Sequence, residues 1–320
     1  MTSRLADAGA VPQNRTAPAE VIRKPLLPSR EKVFWAFLGP ALALYTLLFV
    51  APSFFGVWVS LTKWAGPGSE MSWRGLQNYV SLLGNEAFLR SFGNTLVLAV
   101  VSGTLVFGVT FLSMVVLRQL KGRAFIRSVV FLPVIISPIA VGAAIGFLLN
   151  PDGVANRILG IFGIAPIGFL GPDTVFACII GGVVWSSTGL YIALMLSAMD
   201  AIPEDLYEAA LLTGASKWQQ FRFITLPLSW DVFAVASVLW VVNSLKTFEI
   251  VIAFTTGGAV GVPPIQARTV AVQQYNSVVV SGGVPDLGAG AAMGVIVTVL
   301  TIILIVLVRR ITAREQVELS

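Results

Sequence analysis

The chain has 320 residues, of which 56% are hydrophobic and 12% are charged, with a formal net charge of +5. Soluble proteins hold about 45–50% apolar and about 25% charged residues, so this composition excludes an ordinary soluble domain and indicates a polytopic membrane protein. The chain has no histidine and one cysteine, Cys178. These counts exclude an intrachain disulfide, a Cys/His metal site and a histidine-dependent catalytic triad.

Apolar segments long enough to cross about 30 Å of hydrocarbon recur along the chain. They predict an all-α fold with a transmembrane domain over residues 34–309. Residues 1–33 are predicted to be a disordered cytoplasmic tail and residues 310–320 a second tail. Pro133 and Pro138 predict a kink in the third span. The six predicted spans are 34–61, 92–117, 124–149, 174–199, 232–254 and 290–308.

The basic residues predict how these spans are oriented. Of the 21 Lys and Arg residues, fifteen fall in the two tails and in the second and fourth loops. Five fall in the alternate loops, and Lys246 lies inside the fifth span. Because basic loops stay in the cytoplasm, both termini and the loop 200–228 are predicted to be cytoplasmic. Orientation in the membrane therefore explains the net positive charge better than binding to nucleic acid does.

The cytoplasmic loop 200–228 carries the signals of two short helices. Pro203 suits a first helical position, and Gly214 suits the left-handed residue that ends a helix. Ser216 and Gln219 have the spacing of a capping box for a second helix, which Pro227 would close. The loop therefore predicts a helix, a glycine turn and another helix on the cytoplasmic side.

The same loop holds a spaced pattern of acidic, small and apolar residues: Glu208, Ala209, Ala210, Gly214, Ile224, Leu226 and Pro227. The pattern resembles the EAA loop of type I ABC importer permeases, the inner membrane components of binding-protein-dependent transport systems. Thr213 departs from it, because the family usually has Asp there. The resemblance implies that the loop is a coupling helix that docks in a groove of an ATPase subunit.

The resemblance also implies contacts for that docking. Glu208 would pair with a basic residue of the ATPase, and Leu211, Trp218 and Phe221 would supply apolar contacts. The alternative is an amphipathic helix at the interface, anchored in lipid by its aromatic rings. The predicted coupling residues are Glu208, Ala209, Ala210, Leu211, Gly214, Trp218 and Phe221.

Polar side chains within two spans predict a substrate pathway, because ionisable groups in a membrane usually face a bundle interior or a wet cavity. Lys246 and Glu249 stand three residues apart, so on a helix they could form an ion pair that either lines the pathway or fixes packing. Hydroxyls and aromatic faces suit a sugar, although hydroxyls also bond neighbouring helices. The predicted pathway residues are Trp185, Ser187, Tyr191, Asn243, Lys246 and Glu249.

Further segments resemble the carbohydrate branch of the same family, in particular its maltose-type first permease. In the family a proline usually follows the paired glycines, whereas Ala259 stands there in this chain. The segments are Leu245–Glu249, Thr256–Gly258 and Gln274–Tyr275, with a looser match at Asn78–Tyr79, Phe88 and Asn94–Thr95. The resemblance implies a second, homologous permease, an ATP-binding subunit dimer and an external substrate-binding protein as partners, besides membrane lipid.

The sequence contains no Gly-x-x-x-x-Gly-Lys-Ser/Thr phosphate loop, so ATP and Mg are expected in the partner ATPase, with no cofactor or metal on this chain. We therefore predict a non-catalytic permease subunit of an ATP-driven carbohydrate importer in the bacterial inner membrane. Alternatives are an ion-coupled secondary transporter and an importer of a non-sugar solute such as a glycerol phosphate. A membrane enzyme lacks an evident acid/base constellation, and a scaffold or receptor stays open.

Overall fold

A computed structural model of the chain describes residues 30–117, 120, 122–256, 263–280 and 284–313. It forms two compact units, Met1–Ser53 and Phe54–Ser320. The predicted tail up to residue 29, the paired glycines at 257 and 258, and residues 314–320 lie outside the described residues.

The described chain is almost entirely helical. A two-stranded antiparallel pair, β1 (Thr62–Lys63) and β2 (Ser72–Trp73), follows α2 and was not predicted. Turns of π-helix at 46–50, 98–102, 221–225 and 276–280 continue neighbouring helices, and a 3₁₀ turn occupies Ile265–Ala267. The helices are α1 (Arg30–Tyr45), α2 (Ala51–Val59), α3 (Gln77–Leu83), α4 (Glu86–Val97), α5 (Gly103–Leu117), α6 (Arg123–Ile135), α7 (Pro138–Leu148), α8 (Val154–Ile161), α9 (Val175–Asp200), α10 (Glu204–Leu212), α11 (Lys217–Gln220), α12 (Leu226–Leu228), α13 (Trp230–Leu245), α14 (Glu249–Thr256), α15 (Val270–Tyr275) and α16 (Leu287–Thr312).

Among the described residues, four helical stretches are long and apolar enough to cross a membrane: Phe34–Val59, Glu86–Leu117, Val175–Asp200 and Leu287–Thr312. Two bent helix pairs raise the number to six if each pair is one span. These pairs are α6 with α7, bent by 93°, and the stretch Lys217–Leu228 with α13, bent by 72°. The predicted class, an all-α polytopic membrane protein, is confirmed.

The third predicted span is sharply broken rather than gently kinked. Ile136 and Ser137 have extended backbone angles, and Pro138 opens α7. A proline disfavours the helical conformation of the residue before it, since its ring crowds that residue's backbone. Pro138 therefore ends one helix and begins another, while Pro133 lies within α6.

The fifth predicted span, 232–254, also differs from the structure. Helix α13 ends at Leu245 and α14 begins at Glu249, so residues 246–248 form a break. Hydrophobicity alone did not show this break, because both halves are apolar. The break places Lys246 at a helix end and Glu249 at the next helix start.

The core of the second unit is built around α9. Its buried side chains include Ile179, Tyr191 and Met195, which are at most 1% exposed. Helices α5, α6, α7, α13 and α14 all contact it. Within the second unit, the pair α6 and α7 and the pair α13 and α14 therefore both pack against α9.

Helices α7 and α14 come unusually close to each other, and two glycines make this possible. A Cβ atom at Gly142 would lie 2.6 Å from the carbonyl oxygen of Ile250, and one at Gly146 would lie 2.5 Å from that of Phe254. Side chains larger than hydrogen would push α14 away. The position of Glu249, at the start of α14, therefore depends on these glycines.

Candidate functional site

The segment predicted to be the coupling helix is α10, and its end has a complete capping motif. Gly214 has a φ of 78°, the left-handed conformation. Its N–H donates to the carbonyl of Leu211 (2.9 Å), and that of Ala215 donates to the carbonyl of Ala210 (3.0 Å). These two bonds form a Schellman motif, which satisfies carbonyls at the helix end.

The second helix begins with the predicted capping box. The Gln219 N–H donates to the Ser216 hydroxyl (3.3 Å), and the Ser216 N–H donates to the Gln219 side-chain oxygen (2.7 Å). Pro227 lies inside the last short helix rather than after it, since α12 ends at Leu228. The bend into α13 follows at Ser229.

Most of the predicted coupling residues are exposed. Glu208 and Ala209 are exposed and Ala210 is half-buried. Leu211 is 56% exposed and Trp218 is 62% exposed. The segment therefore exposes an acidic group, small residues and apolar side chains.

Phe221 differs from the other predicted coupling residues, because it is only 5% exposed. It packs in a cluster with Met114, Leu117 and Met195, and its ring lies 6.1 Å from that of Phe111. In this conformation Phe221 holds the loop to the bundle instead of facing a partner.

One buried hydrogen bond joins α10 to the segment that leads into α13, and a partly buried one joins α11 to the turn after α10. The Tyr207 hydroxyl lies 3.0 Å from that of Thr225, and Tyr207 is 1% exposed. The Gln220 amide donates to the carbonyl of Ala215 (3.1 Å). Since buried bonds of this kind are costly to break, a displacement of α10 would be passed to the helices behind it.

Charged groups join the ends of α6 and α9 that lie beside α10. Arg123 forms an ion pair with Asp200 (3.0 Å), and Arg127 lies 3.9 Å from the same carboxylate. Arg127 also donates to the Ser197 hydroxyl (2.6 Å) and to the carbonyl of Ala193 (3.1 Å). These bonds fix the end of α9 from which α10 continues.

A cavity of about 500 Å³ lies where α6, α7, α9, α13 and α14 meet. Ligand pockets usually measure about 300–1,000 Å³. Five of the six predicted pathway residues line it: Ser187, Tyr191, Asn243, Lys246 and Glu249. The remaining lining residues that matter chemically are Ser186, Trp240, Ser244, Thr247 and Phe248.

Two aromatic rings form one wall of the cavity. Tyr191 and Trp240 meet edge to face, with their centroids 5.6 Å apart. The Trp240 indole N–H donates to the carbonyl of Ala99 (2.8 Å), and the Tyr191 hydroxyl lies near the Asn243 side chain. Both rings are packed in place, since only 1% of Tyr191 and 5% of Trp240 is exposed.

Lys246 and Glu249 line the same cavity but do not form the ion pair that the sequence suggested. Within the described residues no nitrogen of Lys246 lies within 4.0 Å of a carboxylate oxygen of Glu249. The helical spacing that would bring them together is lost at the break 246–248. Both side chains are exposed.

Trp185 does not lie at this cavity. It is 54% exposed and lines a separate apolar cleft with Ala144, Cys178 and Gly181. Its ring therefore stands on a different face of α9 from Tyr191. In the residues that the structure describes, no group of three Asp, Glu, Cys or His side chains could hold a metal ion.

Comparison with known proteins decides the family. A family model described as binding-protein-dependent transport system inner membrane component matches residues 111–317, which include α10 and the α9 and α13 walls of the cavity. The chain belongs to this family.

Two curated relatives and one solved structure are similar to this inner membrane component. The trehalose/maltose transport system permease protein MalF of Thermococcus litoralis is 34% identical over 197 residues, 61% of this chain and 64% of that protein. A probable ABC transporter permease protein of Sinorhizobium fredii is 30% identical over 249 residues, 77% of this chain and 79% of that protein.

The solved structure is a bacterial alginate ABC transporter in complex with an alginate pentasaccharide-bound periplasmic protein. It matches with a TM-score of 0.73 and 25% identity, covering 90% of this chain and 97% of that chain. The predicted relationship to ABC importer permeases of the carbohydrate branch is confirmed.

Sequence reasoning about this inner membrane component missed Trp240 as a cavity residue. A signal was available, because Trp240, Asn243, Ser244 and Thr247 follow the i, i+3, i+4, i+7 spacing of one helix face. All four line the cavity. The polar members of that stripe indicate a helix face that borders a polar cavity, and Trp240 adds apolar surface to the same face.

Proposed function

We propose that this inner membrane component is a permease subunit of an ATP-driven importer of a carbohydrate, a sugar or polyol. The cavity between α9 and α13 carries this proposal. A pyranose ring offers apolar faces and a rim of hydroxyls, and it is bound by aromatic surfaces combined with hydrogen-bonding groups. Tyr191 and Trp240 supply the aromatic surfaces, and Ser187, Asn243 and Thr247 supply the hydrogen-bonding groups.

The charge at the cavity favours a neutral solute over a glycerol phosphate. Lys246 and Glu249 both line it, and their formal charges cancel. A dianionic phosphate is favoured by several cationic donors, whereas this cavity combines one lysine with a carboxylate that opposes an anion. The names of the relatives, which include trehalose/maltose and alginate transport, support a carbohydrate.

Energy for transport would come from a separate ATPase dimer, which would hold ATP and Mg. Helix α10 would dock on it through Glu208, Ala209 and Leu211 from the cytoplasmic side, with Trp218 beside them. The exposed surface of α10 and its buried link from Tyr207 to Thr225 support this assignment. Docking buries exposed apolar side chains, which favours association.

The remaining partners follow from the family. A second, homologous permease would close the exposed side of the cavity, and an external substrate-binding protein would deliver the carbohydrate. The alginate complex, which includes a periplasmic protein, supports such delivery. The chain would span the bacterial inner membrane several times with both termini in the cytoplasm.

The substrate proposal is tested with the complete transporter in vesicles. Uptake of labelled trehalose, maltose and other oligosaccharides is measured with ATP inside, with glycerol 3-phosphate as the competing solute. Saturable, ATP-dependent uptake of a carbohydrate is expected. Uptake that survives ATP depletion but collapses with an ionophore would show a secondary transporter instead.

The coupling proposal is tested by Glu208→Lys and Gly214→Asp in the same complex. The first reverses the charge at the docking surface, and the second forces a side chain into the left-handed residue that ends α10. Each is expected to abolish uptake and substrate-stimulated ATP hydrolysis. Asp173→Lys, an exposed charge reversal outside the loop, is the matched control. Full activity of both loop variants would overturn coupling through α10.

A further inference from the structure

The Asn94–Thr95 pair, which the proposed function does not use, lies in α4 and contacts a distant part of the chain. The Asn94 side-chain nitrogen donates to three carbonyl oxygens, those of Ile265 (3.3 Å), Gln266 (3.0 Å) and Arg268 (3.0 Å). Asn94 is 8% exposed. Three facing carbonyls require a donor, so the amide nitrogen must point at them.

Thr95, the next residue of α4, binds the same segment at Val270. Its hydroxyl donates to the carbonyl of Ser91 (2.8 Å) and accepts from the Val270 N–H (2.9 Å). Thr95 and Val270 are both fully buried. The segment that leads into α15 is therefore held to α4 by bonds that water cannot replace.

Thr269 connects this segment to the cavity. Its hydroxyl donates to the carbonyl of Thr247 (2.8 Å), and it is fully buried. Thr247 lies in the break between α13 and α14 and lines the cavity. At the other end of α15, the Tyr275 ring lies edge to face against Phe248, with centroids 5.2 Å apart.

Residues in such a break lack the ladder of hydrogen bonds that fixes a helix, so their carbonyls need other partners. Here a partner comes from outside the two broken helices. We propose that Asn94, Thr95 and Thr269, which we call the Asn94 cluster, are positioning residues for the break 246–248. Through it they hold Lys246 and Glu249 at the cavity edge.

This inference rests on the proposed function for its effect on transport, but its geometry can be tested independently. The main variant is Thr269→Val, which keeps the shape of the side chain and removes the hydroxyl. Thr269→Ser restores the hydroxyl and is the matched control. Asn94→Asp is a second variant at a different contact, since it places a carboxylate against three carbonyl oxygens.

The first measurement is amide hydrogen exchange in the assembled transporter, over peptides that cover residues 244–252. Loss of one buried hydrogen bond corresponds to about a tenfold change in a local opening equilibrium. We expect about tenfold faster exchange with Thr269→Val and with Asn94→Asp, and wild-type exchange with Thr269→Ser. Unchanged exchange in both Thr269→Val and Asn94→Asp would overturn the proposal.

The second measurement separates positioning from a general loss of folding. In the uptake assay Thr269→Val is expected to raise KM about fivefold more than it lowers kcat, and Thr269→Ser to restore KM. Equal loss of kcat in all three variants would overturn a positioning role. A wild-type complex that takes up no carbohydrate would overturn the proposed function, while the exchange comparison would still decide on the Asn94 cluster.

Discussion

Some cavity residues provide aromatic surface and others provide polar groups, and Tyr191 provides a ring and a hydroxyl. Its ring packs against Trp240 and Phe107, while its hydroxyl lies near the Asn243 side chain. Trp185, six residues earlier on the same helix, faces the separate apolar cleft. Two aromatic residues of α9 that look alike in the sequence therefore have different surroundings.

This difference predicts the outcome of two substitutions. Tyr191→Phe removes the hydroxyl beside Asn243 at the cavity, and losing such a polar group costs about 1 kcal/mol or roughly a fivefold rise in the KM for uptake. Trp185→Phe is expected to leave the KM unchanged, because that ring lies outside the cavity. Kinetics of the reconstituted transporter check both. A larger effect from Trp185→Phe would place the pathway in the apolar cleft.

The coupling segment offers a second comparison between two aromatic residues. Phe221→Ala empties a buried site, so we expect a loss of about 3 kcal/mol in stability, seen as a lower Tm of the purified chain. Trp218→Ala removes an exposed ring and should change the Tm little while weakening binding of the ATPase subunit about tenfold or more. The opposite assignment would show that Trp218 is structural and Phe221 a docking residue.

At the scale of whole elements, the two broken helices form the site. The break after Ile136 exposes the N-terminal end of α7 to the cavity, and the break at 246–248 does the same for α14. A continuous apolar helix satisfies its own backbone groups, so polar backbone is exposed in a membrane only where protein or a wet cavity surrounds it. The close contact between α7 and α14 keeps both helix starts together.

That contact gives a prediction for glycine substitutions. Gly142→Ala would put a methyl group 2.6 Å from the carbonyl oxygen of Ile250, so α14 must move away. We expect a loss of about 1–3 kcal/mol in stability and a marked loss of uptake. Gly181→Ala, on α9 with open space at the same position, is the control. Thermal stability and uptake are measured together, and equal behaviour of the two variants would contradict the packing described for α7 and α14.

At the scale of the whole molecule, the distribution of basic residues predicts one orientation in the membrane. Helix α10 and the ion pair between Arg123 and Asp200 lie on the side predicted to be cytoplasmic. The loop between α7 and α9 lies on the other side in the same prediction. An ATPase that uses cytoplasmic ATP would meet α10 only in this orientation.

The orientation is checked by labelling single cysteines in a Cys178→Ser background. Asp173→Cys, in the loop before α9, should react in intact cells with a maleimide that cannot cross the membrane. Ala209→Cys should react only after the membrane is permeabilised. Cells that carry Cys178→Ser alone measure the background. Labelling of Ala209→Cys in intact cells would contradict coupling to a cytoplasmic ATPase.

The sequence by itself determined the membrane class, the apolar stretches and the ends of the short helices in the coupling loop. Composition and periodicity act locally, as do the left-handed Gly214 and the capping box of Ser216 and Gln219. Five of the six expected pathway residues also proved to share one cavity, because costly polar groups in apolar helices collect where water can reach them.

Only the tertiary structure decided where the helices break and which neighbours the side chains meet. Nothing in the sequence around residue 246 prevents a continuous helix, and in the structure the carbonyl of Thr247 in the break accepts a hydrogen bond from Thr269 in a later segment. The burial of Phe221 and the separation of Trp185 from the cavity likewise depend on how α9 packs against other helices. Contacts between distant segments depend on packing and buried hydrogen bonds, which local sequence patterns do not encode.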